Sequence, residues 1–121
     1  KAVFKVQEVE SYDIAQDEWL PLAAALEAKS THPVAKAVVE YAGNGFDKLR
    51  VDKLEEISGH GLKGDVNGKE VLAGNVKLMD MMKVPVNDGL RKMVDTIVIV
   101  AINRKLAGYL TIADEIKEDR G

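Results

Sequence analysis

The sequence predicts an α/β protein of the α+β type, a mainly antiparallel β-sheet flanked by two helical hairpins. Three observations point there. Stretches of β-branched and aromatic residues in rough alternation recur from end to end of the 121-residue chain. Some are separated by turn dipeptides that allow only an antiparallel return, above all Asn67-Gly68, where both residues tolerate the positive φ of a type I′ turn. Elsewhere, apolar residues at helical spacing come in neighbouring pairs of segments.

"AVFKVQEVE" opens the chain as a strand. Asp17 offers an N-cap to a first helix whose apolar positions Trp19, Leu22, Ala23 and Leu26 follow the helical spacing. Pro21 is acceptable there near a first turn, and the helix should end near Lys29. A second helix starts around "STHP" with Pro33 in its first turn, lines up Val34, Ala37, Val38 and Tyr41, and stops at Gly43. "KSTH" is the elbow between the two. "VDKLEEIS" is a strand leading into a glycine loop, and "LKGDV" and "KEVLA" flank Asn67-Gly68. Asn75 caps a short helix carrying Leu78, Met79 and Met82, and another short helix runs from about Asn87 to Val94. "TIVIVAI" and "KLAGYLTI" follow as strands joined at Asn103-Arg104, the first apolar enough to be buried.

Length suits one domain with one core, and a composition 46% hydrophobic and 31% charged is that of a soluble globular protein. With 17 basic and 20 acidic residues, the net charge of -3 gives no electrostatic reason to bind nucleic acid or an anionic membrane, so the partner is expected to be small or proteinaceous. The absence of cysteine excludes disulfides, thiol catalysis and thiolate metal sites. Two histidines far apart, with no clustered acids, make no recognisable metal-ligand set. The run from Ile97 to Ile102 is too short to cross a bilayer, and no signal peptide is evident. A start at Lys1 and an end on "ADEIKEDRG" read as a piece of a longer protein.

"SGHGLKG" contains Gly59-x-Gly61-x-x-Gly64, the spelling of a dinucleotide-binding fingerprint. That motif works only where a helix follows and turns its N-terminus to the pyrophosphate. Here Asp65-Val66-Asn67-Gly68 follows, a turn sequence, and the dinucleotide reading fails. The glycines then either relieve a bulge or bend, or let a ligand approach bare backbone. His32 stands at a helix start, where the dipole disfavours an added proton. A neutral ring there can bond to a neutral heterocycle, or it can simply cap the helix. Glu27 lies against the dipole at the end of its helix, either solvated or waiting for a specific partner. Gly74-Asn75 reads as a strand end and a cap.

Together, Glu27 five residues before His32-Pro33, Gly59-His60-Gly61 with Leu62 behind it, and Gly74-Asn75 resemble the nucleotide-binding (N) domain of heavy-metal-transporting P-type ATPases. The resemblance runs from the first strand to "GYLTIADEIKED". It implies a cytoplasmic domain of an integral membrane pump that binds ATP, as Mg-ATP in the full-length pump. Residues 1–112 would be the N domain and 113–121 a hinge segment returning to an absent phosphorylation domain. Carried over by position, Glu27 and His32 would recognise the adenine end, with Gly59, Gly61, Leu62, Gly74 and Asn75 forming the pocket wall. Thr31 departs from the acid that many members carry before the histidine. The phosphorylated aspartate of the DKTGT motif lies outside the chain, so the resemblance implies a fragment that binds nucleotide and catalyses nothing. The implied partners are ATP and the phosphorylation and actuator domains of the same pump, with no nucleic acid, no direct membrane contact and a monomeric isolated domain. "AGYLTIADEIKED" is more similar to the zinc and cadmium exporters than to the copper ones. An alternative of another class is a small non-enzymatic structural or protein-interaction domain whose glycines are turns. A free-standing enzyme is disfavoured, since no nucleophile, base and orienting acid stand at suggestive spacing.

Overall fold

The computed structural model describes residues 2–30, 32–43, 46, 48–92 and 96–116. Its strands are β1 (Ala2–Ser11), β2 (Val51–Ile57), β3 (Gly61–Val66), β4 (Lys69–Gly74), β5 (Thr96–Ile102) and β6 (Lys105–Ile116). They form one sheet in the order β1-β6-β5-β4-β3-β2, with every neighbouring pair antiparallel. The two tight hairpins fall where the dipeptides placed them. Asn67 and Gly68 have φ of 52° and 83°, and Asn103 and Arg104 have 51° and 66°, the left-handed pairs that a type I′ turn needs.

Helices cover both faces. On one side α1 (Gln16–Glu27) and α2 (Pro33–Ala42) share a core with Val98, Val100 and Ile102. On the other, α3 (Val76–Met81) and α4 (Asp88–Arg91) bring Leu78, Met79 and Leu90 onto Ile99 and Ala101. Successive β5 side chains therefore alternate between two dry layers, which is why its sequence is apolar throughout instead of alternating. α1 is buried on more than one stripe because it packs on the sheet with one side and on its neighbour α2 with another, and Ala23, Ala24 and Ala25 keep it thin enough to do so. Fully buried Trp19 finds the partner its ring nitrogen needs in Ser11, with Nε1 donating to Oγ at 2.9 Å.

Three local expectations are corrected. The N-cap of α1 is Ala15, which makes no side-chain cap bond; Asp17 sits in the first turn instead, where its charge still meets the positive end of the helix. Pro21 lies beyond that turn, so it removes the N–H that Asp17's carbonyl would have accepted. α4 is also shorter than expected: Asn87 does cap it, Oδ1 accepting from Leu90 N–H at 2.9 Å, but the helix ends at Arg91, and Val94 is outside the described residues. Thr31 and residues 117–121 are likewise outside. β6 continues to Ile116, opposite Ala2, so residues 113–116 of the expected hinge segment are paired in the sheet.

Register fixes where the chain ends lie. Val6 pairs with Ile112 and Ile112 with Thr96, while Ile99 pairs with Gly74 and Gly74 with Gly61. The start of β1, the end of β6, the start of β5, the end of β4 and the start of β3 thus share one end of the sheet.

Candidate functional site

A cavity of about 840 Å³ opens at that end, within the size range of small-molecule sites. Its wall takes Glu27 from the end of α1, His32 from the cap of α2, Gly59, Gly61 and Leu62 from the β2–β3 loop and β3, and Gly74 and Asn75 from the end of β4. The structure thus brings together the seven residues that the resemblance assigned to the nucleotide pocket.

The elbow between α1 and α2 is a relay of short hydrogen bonds. Ser30 N–H donates to the Glu27 carbonyl at 2.9 Å, His32 N–H donates to Ser30 Oγ at 3.1 Å, and Val34 N–H donates to His32 Nδ1 at 3.2 Å. The last bond decides the tautomer. Nδ1 accepts, so in the neutral ring the proton is on Nε2, which is left as a donor. Of the two readings the sequence offered for His32, the cap is present: Nδ1 accepts from Val34 N–H.

Glu27 is not a solvated helix glutamate. It is 6% exposed, and among the described residues its carboxyl enters no hydrogen bond or ion pair. Burial alone pushes its pKa up to about 7, so that near neutrality it is poised between acid and carboxylate.

The glycines divide. Gly61 and Gly74 face each other across β3 and β4. A Cβ on Gly61 would strike the Ala73 carbonyl oxygen, and one on Gly74 would strike that of His60. With Gly61 also at φ +148°, this pair is glycine because two backbones cross too closely for side chains, not chiefly to leave room for a ligand. Gly59, at φ +77° with nothing within 4 Å of a Cβ position, is the one of the three facing open space. Gly64 stands within β3 against Leu26, and β3 runs on into a hairpin, which disposes of the dinucleotide fingerprint. Leu62, 4% exposed, joins the core beneath. Asn75 ties the rim: Oδ1 accepts from Leu78 N–H at 3.1 Å, Nδ2 donates to the Gly59 carbonyl at 2.9 Å, and its own N–H donates to the His60 carbonyl at 3.0 Å.

No family model matches the chain. Among curated proteins, it is 41% identical over 120 residues to the cadmium, zinc and cobalt-transporting ATPase of Bacillus subtilis, covering 98% of this chain and 17% of that protein. It is 37% identical over 120 residues to the zinc-transporting ATPase of Synechocystis, covering 98% of this chain and 16% of that one. The chain thus spans about a sixth of the length of these relatives. Among solved structures, the N-domain of HMA6, a copper-transporting P-type ATPase, superposes with a TM-score of 0.79 at 27% identity, covering 91% of this chain and 98% of that domain. The chain belongs to the N-domains of heavy-metal P-type ATPases. The catalytic domain of the CPx-ATPase CopB-B, described as changing conformation upon nucleotide binding, also matches, with a TM-score of 0.69 at 25% identity over 97% of this chain and 39% of that one.

The cavity of this N-domain also takes in residues that sequence reasoning passed over as site residues. Ser30, Glu56, His60, Lys77 and Arg91 line it. Arg91 is held by Asp80, Nη1 donating to Oδ2 at 3.0 Å, which keeps Asp80 below the usual carboxylate range. Ser30 and His60 sit inside the very motifs that drew attention, but nothing in their spacing said which way they would face. Among the described residues no group of acids and histidines is placed to hold a metal ion, and no helix is long and apolar enough to cross a membrane.

Proposed function

We propose that the chain is the ATP-binding domain of a heavy-metal-transporting P-type ATPase, a cytoplasmic part of an integral membrane pump that presents ATP to an aspartate on a phosphorylation domain outside the chain. The observation that carries this is the pairing of a buried Glu27, whose carboxyl has no hydrogen-bond partner among the described residues, with a His32 whose Nδ1 is taken by the cap and whose Nε2–H is left to donate, both in one cavity wall. Adenine offers the complement, an amino group that donates and ring nitrogens that accept. Glu27 and His32 then hold the base, with Gly59, Gly61, Leu62, Gly74 and Asn75 as the wall alongside it. The cavity lies at the end of the sheet where β1 begins and β6 ends. Transfer from a nucleotide bound there would depend mainly on positioning and electrostatics.

In the full pump the ligand is Mg-ATP and the partners are the phosphorylation and actuator domains; the isolated chain binds nucleotide without hydrolysing it. The lean to the zinc and cadmium side rests on the cadmium, zinc and cobalt-transporting relative at 41% identity, five points above a copper-transporting ATPase of Arabidopsis thaliana at 36%. Titrating ATP into the isotope-labelled chain tests the central claim. Amide shifts at Glu27, His32 and residues 59–61 are expected, and a silent spectrum would leave the structural-domain alternative standing.

A further inference from the structure

His60 lies between the two glycines of the loop, and its backbone is held from several sides. Its N–H donates to the Ile57 carbonyl at 2.9 Å, its carbonyl accepts from Asn75 N–H at 3.0 Å, and the Gly61–Gly74 crossing follows directly. Its ring is held as well: Nδ1 stands 3.0 Å from the Ser58 carbonyl oxygen. A carbonyl can only accept, so Nδ1 carries the proton, and in the neutral ring Nε2 is left with a lone pair. His60 therefore has the opposite tautomer to His32, and both line one cavity. One wall offers a donor and the loop an acceptor.

An acceptor selects among the donors of the ligand. ATP has few: the amino group of the base and the two ribose hydroxyls, whereas its ionised phosphates only accept. On the reading above, on which this inference rests, the amino group is taken by Glu27. We propose that His60 Nε2 accepts a hydrogen bond from a ribose hydroxyl of the bound nucleotide, making the cavity discriminate against a nucleotide that lacks that hydroxyl.

The test compares dissociation constants of ATP, 2′-deoxy-ATP and 3′-deoxy-ATP for the 121-residue chain and its variants, with amide shifts recorded alongside. One of the two deoxynucleotides should bind about fivefold to tenfold more weakly than ATP, as expected for the loss of one hydrogen bond. His60→Ala should weaken ATP by that factor and leave that deoxynucleotide within twofold of the wild type, abolishing the difference. His60→Gln, whose Oε1 can stand near the place of Nε2, should keep most of it. Equal binding of all three nucleotides by the wild type overturns the proposal. So does an equal loss for all three in His60→Ala, which would mark His60 as a prop for the loop, and so does a glutamine variant that behaves like alanine. If instead no nucleotide binds and Glu27 and His32 show no shifts, the ATP reading itself has failed; shifts there without ribose discrimination overturn only the role of His60.

Discussion

His32 Nδ1 caps the start of α2, and Nε2 is left facing the rest of the cavity wall. The two roles separate chemically, because asparagine is a strong N-cap whose Oδ1 can accept the same backbone N–H but which has nothing reaching as far as Nε2. His32→Asn should therefore unfold within a few degrees of the wild type while ATP binds at least about fivefold more weakly, read by thermal melting and by titration. Unchanged ATP affinity would confine His32 to capping. What the sequence could say about such residues was limited by direction. Glu27, His32 and the glycines were visible as types, but the 6% exposure of Glu27 depends on α1 packing on both the sheet and α2, a tertiary fact. The reason for Gly61 and Gly74 was equally hidden, since only the register of β3 on β4 sets them face to face.

Among the elements, the first hairpin was legible because Asn-Gly readily adopts the positive φ values of a type I′ turn, the second from the two flanking strand runs although Arg104 takes the same left-handed φ less readily, and Asn75 and Asn87 were legible as caps because a side-chain acceptor before a short apolar run has little else to do. The start of α1 was not. An aspartate serves a cap and a first turn equally well by charge, and only the backbone angles of Ala15 decide. Asn75 joins two elements: its Oδ1 holds the start of α3, and its Nδ2 holds the Gly59 carbonyl of the β2–β3 loop. Asn75→Ala removes both and should cost about 2 kcal/mol in urea unfolding, one cap and one further hydrogen bond. Asn75→Asp should keep the cap but turn an oxygen toward the Gly59 carbonyl. Hydrogen exchange then separates them: Leu78 N–H, which also donates to the Asn75 carbonyl at 3.1 Å, should exchange faster in the alanine variant than in the aspartate one, while the loop loosens in both. Equal protection of Leu78 in the two variants would show that the side chain does not hold α3.

For the molecule as a whole, the cavity carries a stability cost that a ligand can relieve. An unfolded Glu27 has the ordinary value of 4.5, and burial raises it to about 7 in the folded chain. The folded state thus holds its proton more tightly, so this group's contribution is most favourable below about pH 4.5 and is lost as pH rises through about 7. Above that range the penalty for a buried carboxylate is about 3 kcal/mol. Glu27→Gln keeps the shape without the charge, so at pH 8 it should be more stable than the wild type by up to that amount, and the two should converge near pH 4. ATP acts in the opposite sense on the pair. At a hundredfold excess over its dissociation constant, binding to the folded state alone adds about 2.7 kcal/mol, roughly 10 °C of melting temperature in a chain of this size. In the wild type the amino group of adenine would meet the carboxylate that burial has left unpaired, whereas an amide that can also turn its own donors to the base loses part of that gain. The glutamine variant should therefore melt higher without ATP and rise less with it. Parallel pH profiles from 4 to 8 would show that Glu27 is not the group responsible, and an undiminished ATP shift in the variant would remove Glu27 from the base-binding wall.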